Sequence, residues 1–218
     1  MIITGTRHRL LKRIYEYFLH SATKESFTYF SQFKDIIISD LDEARHILEI
    51  ALSKVKLDGL HCEFGVFQGQ TLNIASDIKK DVTWHGFDSF EGLQEDWKGG
   101  YYHKGHFNLN GNIPIGLNSN IVIHKGWFKD TLPKFVFDEI KPIAFANIDC
   151  DTYESTKEVL NILGQRITKG TILILDDYHS YYGWKQGQHK AWKEFVSDHL
   201  LKYKYIGIGV MSAIIEVL

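Results

Sequence analysis

Cysteine is nearly absent from this chain of 218 residues: Cys62 and Cys150 are the only two. Two thiols build no disulfide framework. Each sits in an apolar run that ends at an acid, which reads as strand, so buried thiols are expected rather than a disulfide or zinc ligands. Positive charge is not in excess either. Lys and Arg number 25 against 27 Asp and Glu, a formal net charge of −2, so no overall field recruits nucleic acid or an anionic membrane. No apolar run approaches the roughly 20 residues of a membrane-spanning helix. Residues 1–20 mix Arg7, Arg9, Lys12 and Arg13 with apolar residues and lack a clean signal-peptide core, so a cytoplasmic location is the expectation. Repeats, low-complexity tracts and a G-x-G-x-x-G turn are all missing. What is present is 44% hydrophobic and 14% aromatic content, enough for one well-filled core.

Periodicity and turn signals divide the chain. Residues 7–20 and 40–55 read as helices; the second has Ser39 and Asp40 as caps and Leu41, Ala44, Ile47, Leu48, Ala51, Leu52 and Val55 near helical period. Strands are expected over 60–64, 82–87, 121–123, 143–148 and 171–175, helices over 69–79, 154–165 and 188–200, and two last strands within 203–217. Continuous apolar strands alternating with helices predict an α/β fold. Its parallel sheet is covered on both faces, and the final strand pair adds an antiparallel edge. The polar segment 91–118, rich in Gly and Asn, is too long for a plain connector and reads as a lid or binding loop. Residues 1–58 are set apart as an N-terminal helical extension, a lid or a homo-oligomer contact, ahead of a main domain at 59–218.

Acids fall at the strand ends. Glu63-Phe64-Gly65-Val66-Phe67-Gln68-Gly69 closes the first long strand, and Trp84-His85-Gly86-Phe87-Asp88 the next. An acid–glycine turn followed by an acid about 20 residues later is how open α/β sheets hold a nucleoside cofactor. Val66 and Phe67 stand where pyrophosphate-binding glycines would, so a nucleoside without phosphates, such as S-adenosylmethionine, fits better than a dinucleotide. Asp88 is expected to accept from ribose hydroxyls, and Glu63 to set the loop and the amino-acid end; capping and turn formation are the structural alternatives.

Asp149 and Asp151 follow the fourth of these strands, and Asp176 and Asp177 the fifth. In an open parallel sheet the carboxyl ends share one crevice, so these acids converge, and like charges brought together call for a cation. Asp149, Asp176 and Asp177 suit a hard divalent ion such as magnesium. Asp151 reads as a helix cap. His103, His106 and His179 read as solvated loop histidines, with a general base as the alternative. Trp127 and Phe128 are candidates to wall an adenine, and Trp184 and Trp192 to pack or border an acceptor.

Five segments, in order, carry a family resemblance. They are Glu63-Phe64-Gly65-Val66, Gly86-Phe87-Asp88-Ser89-Phe90-Glu91-Gly92-Leu93, Gly126-Trp127-Phe128-Lys129-Asp130-Thr131-Leu132-Pro133, Ile148-Asp149-Cys150-Asp151-Thr152-Tyr153-Glu154-Ser155-Thr156 and Asp176-Asp177-Tyr178. The chain resembles the macrocin O-methyltransferase-like family of magnesium-dependent sugar O-methyltransferases over roughly residues 60–200. Residues 1–58 and 182–190 depart from that pattern.

The resemblance implies a class I methyltransferase fold, Rossmann-like, with a seven-stranded sheet and an antiparallel last strand. It implies S-adenosylmethionine as methyl donor and Mg2+ on Asp149, Asp176 and Asp177, with Asp149 also the general base. Together with the loop pattern it gives cofactor contacts at Glu63, Gly65, Val66, Phe67, Gly69, Thr71, Asp88, Ser89, Gly126, Trp127 and Asp149. The implied partner is a small-molecule hydroxyl acceptor, a sugar or glycosylated natural product, with a catechol-like diol as the alternative. A non-catalytic protein of the same fold, a nicotinamide-dependent oxidoreductase and a metal-dependent hydrolase are the competing classes.

Overall fold

A computed structural model describes residues 3–39, 44–99 and 102–218. Its strands are β1 (Ile37–Ile38), β2 (Leu60–Phe64), β3 (Trp84–Asp88), β4 (Ile121–Lys125), β5 (Ile143–Ile148), β6 (Ile172–Leu175), β7 (Tyr203–Ile208) and β8 (Ala213–Val217). They form one eight-stranded sheet in the order β1-β7-β8-β6-β5-β2-β3-β4. Every pairing is parallel except those of β8, which runs antiparallel to both β6 and β7. The helices are α1 (Ile3–Phe30), α2 (Ala44–Lys54), α3 (Gln70–Ile78), α4 (Phe128–Asp138), α5 (Tyr153–Leu163) and α6 (Gln188–Asp198).

The central strands are buried on both faces because both faces are covered. Cys62, Phe64, Ala146, Ile148, Leu173 and Leu175 pack against side chains of α4, α5 and α6, such as Leu132, Leu160 and Phe195. Phe145, Ile172 and Ile174 point the other way, into a second core with Leu48 and Ala51 of α2 and Leu72 and Ala75 of α3. This is the three-layer solution for apolar parallel strands. Cys62 and Cys150 are buried free thiols, as their apolar setting predicts.

The sheet departs from expectation in two ways. It has eight strands rather than seven, because the two-residue β1 adds to the outer side of β7. The antiparallel strand is also not at the edge: β8 inserts between β6 and β7. Its sequence AIIEV is buried at four of five positions, whereas YKYIGI of β7 is half-exposed, so burial decides which of the pair lies inside.

Helix α1 runs past the expected end at 20 as far as Phe30, with Ala22, Ser26 and Phe30 forming its buried stripe. The expected cap Asp40 and the apolar Leu41 lie outside the described residues, as do residues 100 and 101 of the long segment 91–118. That segment holds no helix or strand among its described residues. It folds back on itself through bonds such as Leu93 N–H to His106 O (3.0 Å), Gly105 N–H to Leu93 O (2.9 Å) and Trp97 N–H to Tyr102 O (3.0 Å).

Candidate active site

Register in the ladder decides what meets at the top of the sheet. Phe64, Ile148 and Leu175 are aligned neighbours on β2, β5 and β6. The residues that follow, Gly65, Asp149 and Asp176, are therefore forced together. Asp149 N–H donates to Phe64 O (2.9 Å) and Asp176 N–H to Ile148 O (3.1 Å), extending the pairing one step past each strand. Gly65 is required here: its φ is +92°, and a Cβ would lie 1.7 Å from the Asp149 carbonyl oxygen.

Asp149, Asp176 and Asp177 each place a carboxylate oxygen so that all three lie within 4.8 Å of one another. Burial and mutual repulsion push their pKa values up, to about 6 for Asp176 and well above the carboxylate range for Asp149 and Asp177. The Asp177 oxygen Oδ2 is buried without a partner. Three hard oxygen donors, one of them unpaired, fit a divalent cation such as magnesium. Gln188, at the start of α6 and fully buried, braces the pair of strands. Its Oε1 accepts from Asp177 N–H (3.0 Å), and its Nε2 donates to Ile148 O (3.0 Å). Sequence reasoning passed over Gln188, which carries no motif of its own.

Beside this cluster lies an open cleft with about 910 Å³ of empty space. Of the expected cofactor contacts, Gly65, Val66, Phe67, Thr71, Asp88, Ser89, Gly126, Trp127 and Asp149 line it. Glu63 and Gly69 do not. Gly69 caps α3 with φ +77° and packs under Leu117. Glu63 is buried below the loop, where its Oε2 accepts from Asn147 Nδ2 (3.1 Å) and its Oε1 has no partner. Burial, with the nearby Asp176 and Asp88 charges, lifts its pKa to about 8 against the bond from Asn147. Leu93, Gln94 and Phe107 of segment 91–118 also wall the cleft.

Asp88 does two things at once. Its Oδ2 accepts from Val66 N–H and Phe67 N–H, both at 2.8 Å, and its Oδ1 from Phe90 N–H at 2.7 Å. The carboxylate thus shapes the Gly65–Gly69 turn. A carboxylate offers about four acceptor positions, so one on Oδ1 is left facing the cleft.

Two expectations need correction. Asp151 is not the cap of α5. Thr152 is, its hydroxyl accepting from Ser155 N–H at 3.2 Å. Asp151 instead adopts φ +58° and lines the cleft, outside the acid triad, its pKa raised to about 7 by burial and then by Asp176 and Asp88. His179 is not solvated. It is 3% exposed, bonded to Ser180 Oγ (2.7 Å) and Ser212 O (3.2 Å), and burial holds its pKa down near 4. His103 and His106 are exposed, as expected. Trp184 and Trp192 are fully buried packing residues.

The sheet order and the crevice at its carboxyl end define a class I methyltransferase fold, and solved structures agree. The calicheamicin methyltransferase CalS11 matches with a TM-score of 0.64 at 21% identity, over 79% of this chain and 77% of that one. MycE, a methyltransferase from the mycinamycin biosynthetic pathway solved with Mg and SAH, matches at TM-score 0.51 and 11% identity, over 79% and 48%.

At the level of sequence, the model of the macrocin-O-methyltransferase (TylF) family matches residues 115–215, which bears out the resemblance carried by the motif blocks. Demethyldecarbamoylnovobiocin O-methyltransferase of Streptomyces niveus is 27% identical over 163 residues, 65% of this chain and 60% of that protein. Mycinamicin III 3''-O-methyltransferase of Micromonospora griseorubida is 27% identical over 161 residues, 63% and 62%. The chain thus spans about three-fifths of the length of these curated relatives.

Proposed function

We propose that this chain is an S-adenosylmethionine-dependent, magnesium-assisted O-methyltransferase acting on a hydroxyl of a sugar or glycosylated natural product. The observation that carries the reading is the triad Asp149, Asp176 and Asp177, its oxygens within 4.8 Å of one another, bordering a cleft shaped for a nucleoside. The similarity to sugar-tailoring methyltransferases supports the acceptor class. Against a catalytically silent protein of this fold stands the cost of the triad: packing buried like charges is unfavourable unless they serve a ligand.

The sulfonium methyl is already electrophilic, so the protein must align an acceptor oxygen and dispose of its proton. Asp88, through its remaining acceptor position, would hold the ribose, and the turn it shapes would place the cofactor's amino-acid end above β2. Trp127 would wall the base. Asp149, Asp176 and Asp177 would hold magnesium, which when bound lowers the pKa of an acceptor hydroxyl and fixes its orientation.

Two carboxylates compete for the proton. Asp149 is the base that the resemblance implies, yet it belongs to the metal set. Asp151 lines the same cleft without belonging to that set, and its raised pKa suits proton acceptance near neutral pH. Leu93, Gln94 and Phe107 would exclude water from the transfer.

The test is transfer of labelled methyl from S-adenosylmethionine to a panel of glycosides and catechols, with and without EDTA. Magnesium-restored transfer to glycosides is the expected result. Transfer to catechols alone would overturn the acceptor class, and full activity in EDTA would overturn the metal's part.

A further inference from the structure

Two buried polar side chains near the acid cluster have no partner. Tyr181 is 5% exposed and Trp97 8% exposed, yet neither the Tyr181 hydroxyl nor the Trp97 indole N–H makes a hydrogen bond. An unmade bond at a buried donor costs roughly 1–3 kcal/mol, and native proteins leave few such groups unless a ligand completes them. The two rings belong to one cluster, with centroids 5.3 Å apart.

Both sit at the same recess. Its walls include Trp97 and Lys98 of the long segment, Thr152 and Tyr153 at the start of α5, and Gln186 and Gly187 ahead of α6. The Tyr181 oxygen lies directly over Gly187, where a Cβ would come within 1.9 Å of it. Gly99 packs just as closely on the Tyr182 carbonyl, so the long segment is seated on the loop that follows the acid pair.

The recess continues the cofactor cleft along two runs of chain. Leu93 and Gln94 line the cleft, and Glu95 to Lys98 the recess; Asp149 to Asp151 line the cleft, and Thr152 to Glu154 the recess. Asp177 and Asp151 are near enough to the Tyr181 phenol to raise its pKa beyond what burial does.

We infer that this recess is the acceptor subsite, where the Tyr181 hydroxyl and the Trp97 indole N–H bind hydroxyls of a neutral, polyhydroxylated ring. This rests on the methyltransferase reading and adds the residues that recognise the acceptor. Charge decides the ligand class. Glu95, Asp96 and Glu154 border the recess against Lys98 and Lys190, and Lys190 is already drawn to the Tyr153 ring (4.7 Å) and Glu194 (3.9 Å). With the Asp149–Asp177 cluster next door, a phosphorylated acceptor would meet net repulsion, whereas an uncharged ring with several hydroxyls meets two unpaired hydrogen-bonding tips and an aromatic wall.

The test follows the five indole N–H signals by NMR in protein loaded with S-adenosylhomocysteine and magnesium, during titration with methyl α-L-rhamnopyranoside. Trp97 is assigned through Trp97→Phe. The expected result is a saturable shift of the Trp97 signal, with the buried Trp84 and Trp192 signals still. Tyr181→Phe should weaken the titration about 5- to 10-fold while S-adenosylhomocysteine affinity stays the same, as one lost neutral hydrogen bond predicts. A silent Trp97 signal with S-adenosylhomocysteine bound would overturn the subsite and leave the methyltransferase reading standing. No binding of S-adenosylhomocysteine would instead overturn that reading. A Trp97 response to catechol or to glucose 1-phosphate but not to the glycoside would overturn the ligand class.

Discussion

Removing the Gln188 side chain should loosen the acid cluster without touching any acid. Gln188→Ala deletes the acceptor for Asp177 N–H and the donor to Ile148 O, both made at 3.0 Å by a fully buried residue. Each backbone group left buried and unpaired costs roughly 1–3 kcal/mol, so a loss of about 3 kcal/mol is a conservative sum. For a chain of this size, 1 kcal/mol moves Tm by about 2–4 °C, which gives a fall of roughly 6–12 °C.

The functional effect follows from the same geometry. Gln188 ties the residue before Asp149 to Asp177, so its loss lets the carboxylates spread and should weaken magnesium binding about 10–100-fold, as is typical of residues that orient metal ligands. Thermal unfolding and magnesium titration by calorimetry read the two effects. A Tm within a degree or two of wild type, with unchanged magnesium affinity, would refute the claim that Gln188 sets the spacing.

Asp88→Ala should cost about 1.5–3 kcal/mol of S-adenosylhomocysteine affinity and also raise hydrogen exchange at the Val66 and Phe67 amides, which lose their acceptor; unchanged affinity in a folded variant would remove Asp88 from the site. Gly65→Ala puts a methyl group 1.7 Å from the Asp149 carbonyl, which has no room to yield, and should abolish cofactor binding in whatever fraction folds, as calorimetry would show. Asp149→Asn should lose both magnesium affinity and rate, whereas Asp151→Asn should lose rate alone if Asp151 takes the proton; paired metal titrations and turnover separate the two.

His61 is 3% exposed, and burial holds its pKa near 4, below the roughly 6.5 of an unfolded histidine. The unfolded chain therefore binds the extra proton between those values, and stability falls as pH drops from about 6.5 toward 4. His61→Phe should make the Tm of the magnesium-loaded protein less sensitive to acid across that window, and an unchanged acid slope would count against the assignment.

The strands that carry the acids were legible because their signal is redundant. Leu60–Phe64 and Ile143–Ile148 are continuous apolar runs that end at a turn or an acid, and they fold over the expected residues. Convergence of Asp149, Asp176 and Asp177 followed from one rule about parallel strands, and the aligned register delivers it. What stayed hidden depends on tertiary context. Helix α4 was missed because Pro133 lies inside it and Phe128, Leu132 and Phe135 are a short apolar stripe. The second half of α1 reads as polar, since only its stripe through Ala22, Ser26 and Phe30 meets the rest of the protein.

Other misreadings are local. Asp151 and Thr152 are adjacent and both favour cap positions, so sequence alone did not say which would cap α5 and which would face the cleft. Glu63 sits one residue from the turn, and strand alternation carries its side chain beneath the loop rather than into the cleft.

The most direct measurement is a calorimetric titration of magnesium into protein saturated with S-adenosylhomocysteine, run on wild type and on Asp177→Asn. One divalent ion per chain in wild type, loss of that binding in Asp177→Asn, and equal S-adenosylhomocysteine affinity in both is the predicted result. No magnesium binding in wild type, or equal binding in the two proteins, would contradict a metal site built from Asp149, Asp176 and Asp177.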